Sequence, residues 1–477
     1  MYYAYQNLLS AIEMEKIEDN VYKILEKIGL IVENDELLEA AAKAGAKVDK
    51  EKQKILFPRE LAKELLGAIS AMWQERNKNG KVMPIEFQHE MKMILGNYPM
   101  FFVDWPERSQ HTATRQDFID MIHLGNAMPE IASISAPLTI GDLEPEIEVI
   151  EASALMGLHS EKPVGCCDVY DVKQIPYLCE ITQIIEGHDR GYFHKIRDLT
   201  SPLKLGEHAA AILVEQLKRG WYSSIGCMPV AGVNAPMSMA GTVSQGLAEA
   251  LGGLMVIRMY RDDIPGHCSI YSGGLDMKTA CATFCSPEAH VQNIAAHTML
   301  RDVFKIRSSS PSGYNTLAKR PGMQAVYEKM MNMLARSGIA NCPWEHGILD
   351  SGRSFSPTQL MLDLEFNNGL ATFFKGIEVN DNTLAFSVLE EVVNSEKKSF
   401  LEMEHTLNNF RTLWEPEFLD RRMDIPKPDT NLEVEMLDKA DQKWRNILAS
   451  CKGPEIDTEK ETAVMAVIQR AKKDLIK

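Results

Sequence analysis

From about residue 130 onward, short runs of apolar or small residues alternate with longer segments of helical periodicity, and this alternation constrains the fold more than any other feature. The candidate strands are 132–137, 162–169, 192–198, 221–230, 264–271, 303–310, 339–344 and 372–378. The candidate helices between them are 146–159, 173–186, 206–219, 241–260, 287–302, 322–337 and 356–370. Strands in which neither face is polar are typical of parallel sheets that are covered on both sides. The pattern therefore predicts repeated βαβ units in an α/β protein.

Eight such units predict a (β/α)8 TIM barrel, because the stretch that they occupy is close to the ~250 residues that this fold typically needs. An open doubly wound sheet is the alternative, but no GxGxxG follows the first strand. Amphipathic helices at 11–30, 36–46 and 59–70, with a short strand at 54–58, predict an N-terminal helical lead-in. A Pro- and charge-rich link and two charged helices predict a C-terminal helical extension. We expect three regions: a mainly helical region at 1–95, the barrel with the active site at 96–400, and the extension at 401–477.

The charge of the chain narrows the classes of partner. With 51 basic and 67 acidic residues the formal net charge is -16, which repels nucleic acid. Nine cysteines without a CxxC pattern fit a reducing cytoplasm better than a disulfide scaffold. No secretory signal is visible, and the most apolar window contains Glu249 and Arg258, which leaves it short of a membrane span. We expect a soluble, cytoplasmic protein.

In a barrel the active site lies at the carboxyl ends of the strands. The segment "NCPWEHGILDSG" (341–352) follows a candidate strand there, and its His346 has four possible roles: metal ligand, proton shuttle, anion-binding group or buried residue. His267, Cys268, Cys342 and His346 offer mixed nitrogen and sulfur ligands, but their spacing lacks the compactness of zinc motifs, so no metal is expected. A GxSxG turn and a Walker loop are both missing from the sequence.

Aromatic residues gather near the same strand ends. The segment "NYPMFFVDW" contains Tyr98 and Phe102, while Trp344 and Phe355 lie near a later strand end. Aromatic faces hold quaternary ammonium groups, each contributing roughly 0.5–2 kcal/mol. The same cluster could equally be core packing, since aromatic clusters most often are.

The segment "TLAKRPGMQAVYEKMMNML…GILDSGRSFSPTQLMLDLEF" (316–366) resembles the trimethylamine methyltransferase family. Segments 201–254 and 271–304 are similar to it as well, so the resemblance covers nearly the whole chain. The resemblance implies a (β/α)8 barrel and methyl transfer from an amine to the cobalt of a corrinoid (cobalamin) carried by a separate protein. Members that demethylate trimethylamine carry pyrrolysine, whereas every residue here is a standard one. The chain therefore resembles the branch that acts on quaternary amines such as glycine betaine, proline betaine, carnitine or γ-butyrobetaine.

What the resemblance implies for the site follows from this chemistry. A neutral tertiary amine leaves, so no general acid is needed. "WEHG" stands where many members have a glycine-rich stretch, and His346 is expected to bind a betaine carboxylate, so that His346→Ala raises KM for betaine most. Glu249 matches an Ala-Glu pair of the family and is the candidate catalytic residue, attracting the ammonium. Four aromatic residues are the expected substrate-binding cage: Phe102, Phe355, Tyr98 and Trp344.

Glycine betaine is the preferred substrate on this interpretation, and dimethylglycine the product. Three alternatives stay open: another quaternary amine, a betaine-binding protein without turnover, and a zinc-dependent methyltransferase that uses His267, Cys268, Cys342 and His346. A cognate corrinoid protein is the expected partner. A symmetric homo-oligomer is also expected, since most soluble oligomers are of this kind.

Overall fold

A computed structural model describes residues 8–78, 93–107, 109–264, 266–308, 316–337, 344–394, 399–421, 423 and 430–476. Its helices are α1 (Ala11–Lys27), α2 (Asp35–Lys43), α3 (Arg59–Lys78), α4 (Arg115–Ala127), α5 (Pro145–His159), α6 (Ile175–Glu186), α7 (Glu207–Lys218), α8 (Met239–Tyr260), α9 (Pro287–Thr298), α10 (Met323–Ser337), α11 (Pro357–Lys375), α12 (Asp381–Leu384), α13 (Phe386–Asn394), α14 (Glu404–Asn409), α15 (Leu432–Ser450) and α16 (Thr458–Leu475).

The strands are short and lie between these helices. They are β1 (Leu30–Val32), β2 (Lys47–Asp49), β3 (Lys54–Leu56), β4 (Met93–Leu95), β5 (Phe101–Val103), β6 (Gln110–Thr112), β7 (Ile131–Ile134), β8 (Ile196–Leu199), β9 (Lys204–Leu205), β10 (Ser224–Cys227), β11 (Val230–Ala231), β12 (His267–Ile270), β13 (Gly273–Asp276), β14 (Cys281–Thr283), β15 (Trp344–His346), β16 (Ile348–Leu349) and β17 (Ser354–Phe355). The fold is therefore mixed α/β, as the alternation predicts.

Local signals explain where many helices begin. Ser10 and Thr114 form capping boxes at the first turns of α1 and α4, which satisfies backbone N–H groups that have no helical partner. A proline occupies the first position of α5, α9 and α11, where a missing N–H costs nothing. All seven helices predicted between residues 146 and 370 are confirmed.

Parallel pairing joins eight segments in one continuous order that the described residues do not close, and we call this arrangement the ring. β15 pairs with β4, and β4 with β7. Single bridges then join Ile134 to Val164, and Cys167 to Phe193. β8 pairs with β10, β10 with β12, and Cys268 of β12 bridges Ser308. Within the described residues no hydrogen bond joins the segment ending at Ser308 to β15, and the adjoining 309–315 and 338–343 are not described.

Two strand assignments from the sequence need correction. The segment 372–378, predicted as the eighth strand, is wrong: residues up to Lys375 finish α11, and Gly376 follows with a φ of 72°. The ring instead contains β4, whose three residues are too few to give a periodic signal. β4 also begins just before residue 96, the predicted start of the barrel.

The carboxyl ends of the ring segments define its upper end, and two small sheets lie beyond them. One consists of β16, β17, β5 and β6, which continue from β15 and β4. The other consists of β11, β13 and β14, which continue from β10 and β12. The predicted C-terminal helices α15 and α16 are confirmed; α15 packs on α4 and α11, and α16 on α5 and α6.

Candidate functional site

The two faces of the ring segments can be told apart by burial. Leu199 of β8 and Cys227 of β10 are paired residues, and both are buried in the core with side chains of α7 and α8. Side chains alternate along a strand, and directly paired residues lie on the same face of a sheet. Asp198 and its partner Gly226 therefore face the interior of the ring.

Gly226 leaves the space that Asp198 occupies. A Cβ added at Gly226 would lie 1.9 Å from Oδ1 of Asp198, and the next closest side chain is Ile196. The glycine thus lets a carboxylate turn into the ring beside a neighbouring strand. Asp198 is solvent-exposed at this position although protein surrounds it. Burial raises the pKa of its carboxyl group, with Arg197 opposing the rise and the charge of Asp168 adding to it.

The segment at 164–168 adds further polar groups to the same interior. Cys167 is buried in the core and its Sγ donates to the carbonyl of Tyr192, 2.7 Å away, so Cys166 and Asp168 take the opposite face. Asp168 is exposed and Cys166 is half-buried. Burial opposes ionisation of the Cys166 thiol, but a hydrogen bond with His194 and the charge of Lys195 outweigh it, so the pKa of the thiol is lowered.

Tyr98, Glu148 and Tyr170 border this polar group at the upper end of the ring. Glu148 is buried, accepts a hydrogen bond from the Tyr98 hydroxyl and a second from the N–H of Ile140 at 2.9 Å. Burial raises the pKa of Glu148 to about 7, because it outweighs these two hydrogen bonds and the charge of Asp168 adds to it. The rings of Tyr98 and Tyr170 have centroids 6.5 Å apart, and Tyr170 is 53% exposed.

The lower end of the ring interior contains a cation. Ile306 is buried in the core and Ser308 bonds to His297 of α9 at 2.8 Å, so Arg307 between them takes the opposite face; it is exposed, and its guanidinium lies over the Trp73 ring of α3, 5.5 Å from the ring centroid. Burial, with the charge of Arg307 adding to it, lowers the pKa of His267 to about 4. His267 is therefore neutral near pH 7, and its Nδ1 shares a hydrogen bond with the Tyr222 hydroxyl.

The structure brings two of the predicted cage residues together, but in a packed core. Phe102 and Phe355 are paired residues of β5 and β17, with ring centroids 6.4 Å apart. Phe102 is 4% exposed and Phe355 is 0% exposed. Trp344 pairs with Met93 through its backbone, and its side chain lies outside the described residues. Of the three predicted aromatic residues whose side chains are described, only Tyr98 lies beside the polar interior.

His346 is placed on the outer face of its strand. It pairs with Leu95, which is buried in the core against α4 and points away from the ring interior. His346 itself is 2% exposed. The neighbouring Gly347 N–H donates to Asp363 of α11 at 2.7 Å, and Asp363 also pairs with the buried Lys329 of α10. The carboxylate-binding role of His346 stays a prediction, and its placement on the outer face does not favour that role.

Glu249 lies outside the ring interior as well. It is completely buried on α8 and accepts hydrogen bonds from the Ser201 hydroxyl at 2.7 Å and the Leu203 N–H at 2.9 Å. Gln245 donates to it at 2.9 Å. Burial raises its pKa, and the hydrogen bonds oppose that rise. These contacts hold the turn that follows Asp198, and the part of Glu249 in the reaction stays a prediction.

The sequence analysis missed Cys166, His194, Asp198 and Arg307. A usable signal was present: 162–169 and 192–198 contain charged residues although these strands were interpreted as wholly buried. Among the described residues, no three His, Cys, Asp or Glu side chains form a group that could hold a metal ion. Nor does any helix in the described ranges combine the length and apolar composition that crossing a bilayer requires.

The profile of the trimethylamine methyltransferase family (MTTB) matches residues 2–475. The chain belongs to this family. A glycine betaine methyltransferase of Desulfitobacterium hafniense is 25% identical over 98% of both chains. A trimethylamine methyltransferase MttB of the same species is 23% identical, over 86% of this chain and 83% of its own. The structure of the Methanosarcina barkeri monomethylamine methyltransferase is 11% identical with a TM-score of 0.46, over 97% of this chain and 92% of its own. As a member of the family, the chain is a methyltransferase.

Proposed function

We propose that this protein is a cytoplasmic enzyme that moves a methyl group from a quaternary amine to the Co(I) of a cognate corrinoid protein. Glycine betaine is the preferred substrate and dimethylglycine the product. The single observation that carries the proposal is the pair of accessible carboxylates, Asp168 and Asp198, inside the ring of a member of this family. The glycine betaine methyltransferase among its relatives supports the choice of amine.

The ring supports a (β/α)8 barrel. Eight parallel segments follow one another through seven pairings, and the two end segments adjoin residues that are not described. We keep the proposed division into 1–95, 96–400 and 401–477, with the first barrel strand moved to β4. On this architecture the active site lies at the upper end, where Tyr98, Glu148 and Tyr170 lie.

The upper part of the interior suits a cation. Two carboxylates in an enclosed space attract an ammonium group; at an effective dielectric constant of about 20, one charge pair at ~5 Å contributes about 3 kcal/mol. The neighbouring rings of Tyr98 and Tyr170 add cation–π attraction without a charge. We assign the cage role to these two rings, because Phe102 and Phe355 are packed against each other in the core.

The lower part of the interior suits a carboxylate. Pairing of β8, β10 and β12 places Ile196, Ser224 and His267 in one row, and the bridge at Ser308 puts Arg307 in the same row. Asp198 lies two residues further up, which is ~6.6 Å along a strand. A betaine with its carboxylate towards Arg307 then has its ammonium beside Asp198 and a methyl group directed to the upper end.

The chemical step needs no proton from the protein. The lone pair of Co(I) forms a bond to the methyl carbon while the C–N bond breaks. The electron pair of the C–N bond stays on nitrogen, which leaves as a neutral tertiary amine. The protein's contribution is alignment of the two reactants and exclusion of other orientations. Glu249 contributes indirectly, by fixing the turn after Asp198.

The corrinoid protein has to approach the upper end. Apolar side chains project there from the loops after β10 and β12: Met228, Val233, Met237 and Met277 are 38–73% exposed. Flexible methionine side chains adapt to a partner surface and are typical of interfaces that form and separate repeatedly. We propose this rim as the contact surface for the corrinoid protein.

Mixing the purified enzyme with glycine betaine and a Co(I) corrinoid tests the proposal. Methyl-corrinoid, followed by its absorbance, and dimethylglycine should form in equal amounts. Proline betaine, carnitine and γ-butyrobetaine in parallel reactions identify the preferred amine. Demethylation of none of the four refutes the enzymatic proposal, and thermal stabilisation by betaine without turnover would identify a betaine-binding protein.

A further inference from the structure

Glu148 of α5 joins two loops at the upper end of the ring. Its Oε1 accepts the N–H of Ile140 at 2.9 Å, in the loop that follows β7. Its Oε2 accepts the hydroxyl of Tyr98, in the loop that follows β4. Because the side chain of Glu148 is 3% exposed, these two hydrogen bonds take the place of water.

The backbone of Tyr98 is fixed as firmly as its hydroxyl. Its φ of 61° lies in the left-handed region, which residues other than glycine adopt only where the surroundings require it. Its N–H donates to the carbonyl of Ala136 at 3.0 Å, and its carbonyl accepts the hydroxyl of Thr139 at 3.0 Å. The half-buried ring of Tyr98 is thus held at both ends beside the ring of Tyr170.

Glu148 differs from the next carboxylate of its helix. Glu151, about one turn further along α5, pairs with Arg115 at 2.8 Å and with Lys472 at 3.8 Å. Within the described ranges no lysine, arginine or histidine forms an ion pair with Glu148, which has only the two neutral donors. Burying a carboxylate without a cation is unfavourable, and a bound ammonium group would supply the positive charge.

The titratable groups that face Glu148 do not supply that charge. They are two phenols, a thiol and two carboxylates: Tyr98, Tyr170, Cys167, Asp168 and Glu151. Burial raises the pKa of Glu148 to about 7; its two hydrogen bonds oppose the rise, and the charges of Asp168 and Glu151 add to it. Near neutral pH the side chain of Glu148 therefore exists both as the neutral acid and as the carboxylate.

The two forms place the hydroxyl hydrogen of Tyr98 differently. The carboxylate accepts this hydrogen, which then points towards Glu148. In the neutral acid the proton lies on Oε2, since Oε1 accepts the N–H of Ile140, and Oε2 then donates to the phenol oxygen. The hydrogen of Tyr98 must turn away, and the negative charge behind the ring is lost. A cation against the ring of Tyr98 therefore favours the carboxylate form.

We propose that Glu148 is a positioning residue of the amine site: its carboxylate holds the ring of Tyr98, and binding of a quaternary ammonium group releases the proton of Glu148 to solvent. This role rests on the proposed function, since it requires the ammonium group beside Tyr98 and Tyr170. Linkage is reciprocal, so a cation that favours the carboxylate also binds more tightly to it. Affinity for the amine therefore rises as the pH rises through about 7.

Calorimetric titration in two buffers tests the proton release. Glycine betaine and tetramethylammonium are each titrated into the enzyme at pH 7 in phosphate and in Tris, and the difference between the binding enthalpies gives the number of protons released. The wild type should release about half a proton for each cation bound, because a group at its pKa is half protonated. Glu148→Gln cannot ionise and should release none. The matched control is Glu151→Gln, which should release as much as the wild type.

A titration of the wild type at pH 9 makes the test independent of any variant. Glu148 is already ionised there, so the release should vanish. Binding at pH 7 without proton release, or equal release by the wild type and Glu148→Gln, overturns this role and leaves the proposed function standing. Failure of both ligands to bind overturns both.

Steady-state kinetics separate positioning from a purely structural role. Glu148→Gln should raise KM for glycine betaine about tenfold, keep kcat within about twofold, and abolish the rise in kcat/KM between about pH 6 and pH 8 that the wild type shows. Tyr98→Phe keeps the ring without the hydroxyl, and adding Glu148→Gln to it should have no further effect. Additive effects, or a wild-type pH profile in Glu148→Gln, overturn action through Tyr98.

Discussion

Two sides of the ring have opposite characters. Above β4 and β15, the neighbouring residues Phe102 and Phe355 are packed together and closed to solvent. Along β8, β10 and the segment at 164–168, the carboxylates Asp168 and Asp198 are accessible, and Gly226 leaves the space that Asp198 occupies. The aromatic cluster near the strand ends therefore belongs to the packed core, while charged residues within the strands belong to the candidate site. The following predictions test that division, from the largest effect to the smallest.

Phe355→Ala should cost about 3–5 kcal/mol of unfolding free energy, since it removes a completely buried aromatic side chain. The KM for glycine betaine should stay within about twofold of the wild-type value in the folded enzyme. Urea titration and steady-state kinetics measure the two quantities. Met277→Ala, at a residue 73% exposed, is the stability control. A large rise in KM with little loss of stability would instead indicate that Phe355 belongs to the substrate-binding cage.

Asp198→Asn should show the reverse behaviour. Loss of one carboxylate from the interior removes about 3 kcal/mol of attraction for the ammonium, which is about 100-fold in kcat/KM. The melting temperature should not fall, because burial raises the pKa of Asp198 and its charge is unfavourable to the fold. Asp263→Asn, at a surface residue paired with Arg261, is the matched control. Unchanged kcat/KM in Asp198→Asn would place the ammonium elsewhere.

Gly226→Ala tests whether the position of Asp198 matters as much as its charge. The added methyl group meets Oδ1 of Asp198 at 1.9 Å and must displace it, so kcat/KM should fall about tenfold or more. Gly274→Ala is the control, because a Cβ there meets nothing within 4 Å. Equal activity of the two variants would show that the carboxylate can shift without consequence.

Arg307→Met and His346→Ala distinguish the two candidate carboxylate anchors. If the carboxylate lies in the ring interior, Arg307→Met should weaken glycine betaine binding about tenfold and leave binding of choline, which has no carboxylate, unchanged. His346→Ala should then change neither. Calorimetric titration of both ligands gives the four dissociation constants. Selective loss of betaine binding in His346→Ala would instead confirm His346 as the anchor.

The parts of the fold that sequence could predict are those with a long periodic signal. The helices from α5 to α11 repeat apolar positions over many turns, whereas β4 has three residues and no period to detect. The false strand at 372–378 has the opposite cause. Its apolar residues belong to the last turn of α11 and to the exposed residues after it, and apolar content alone does not separate a strand from an exposed helix end.

The candidate site was harder to predict because strand pairing decides which face a residue takes. His346 and Glu249 are chemically suited to a betaine site, but pairing with Leu95 directs the first to the outer face, and α8 holds the second outside the ring. Asp198 becomes available because Gly226 is its partner on a strand 28 residues later, a fact that only the register supplies.

The central claim is that the amine binds inside the ring, and Cys166 reports on it without any substitution. Its thiol is half-buried in the interior and has a lowered pKa, whereas Cys281 is exposed on β14. Alkylation of both thiols by iodoacetamide, followed by mass spectrometry, measures access to the interior as glycine betaine is added. The account predicts that saturating betaine slows alkylation of Cys166 at least fivefold and leaves Cys281 unchanged. An unchanged rate at Cys166 in enzyme that is saturated with betaine would contradict it.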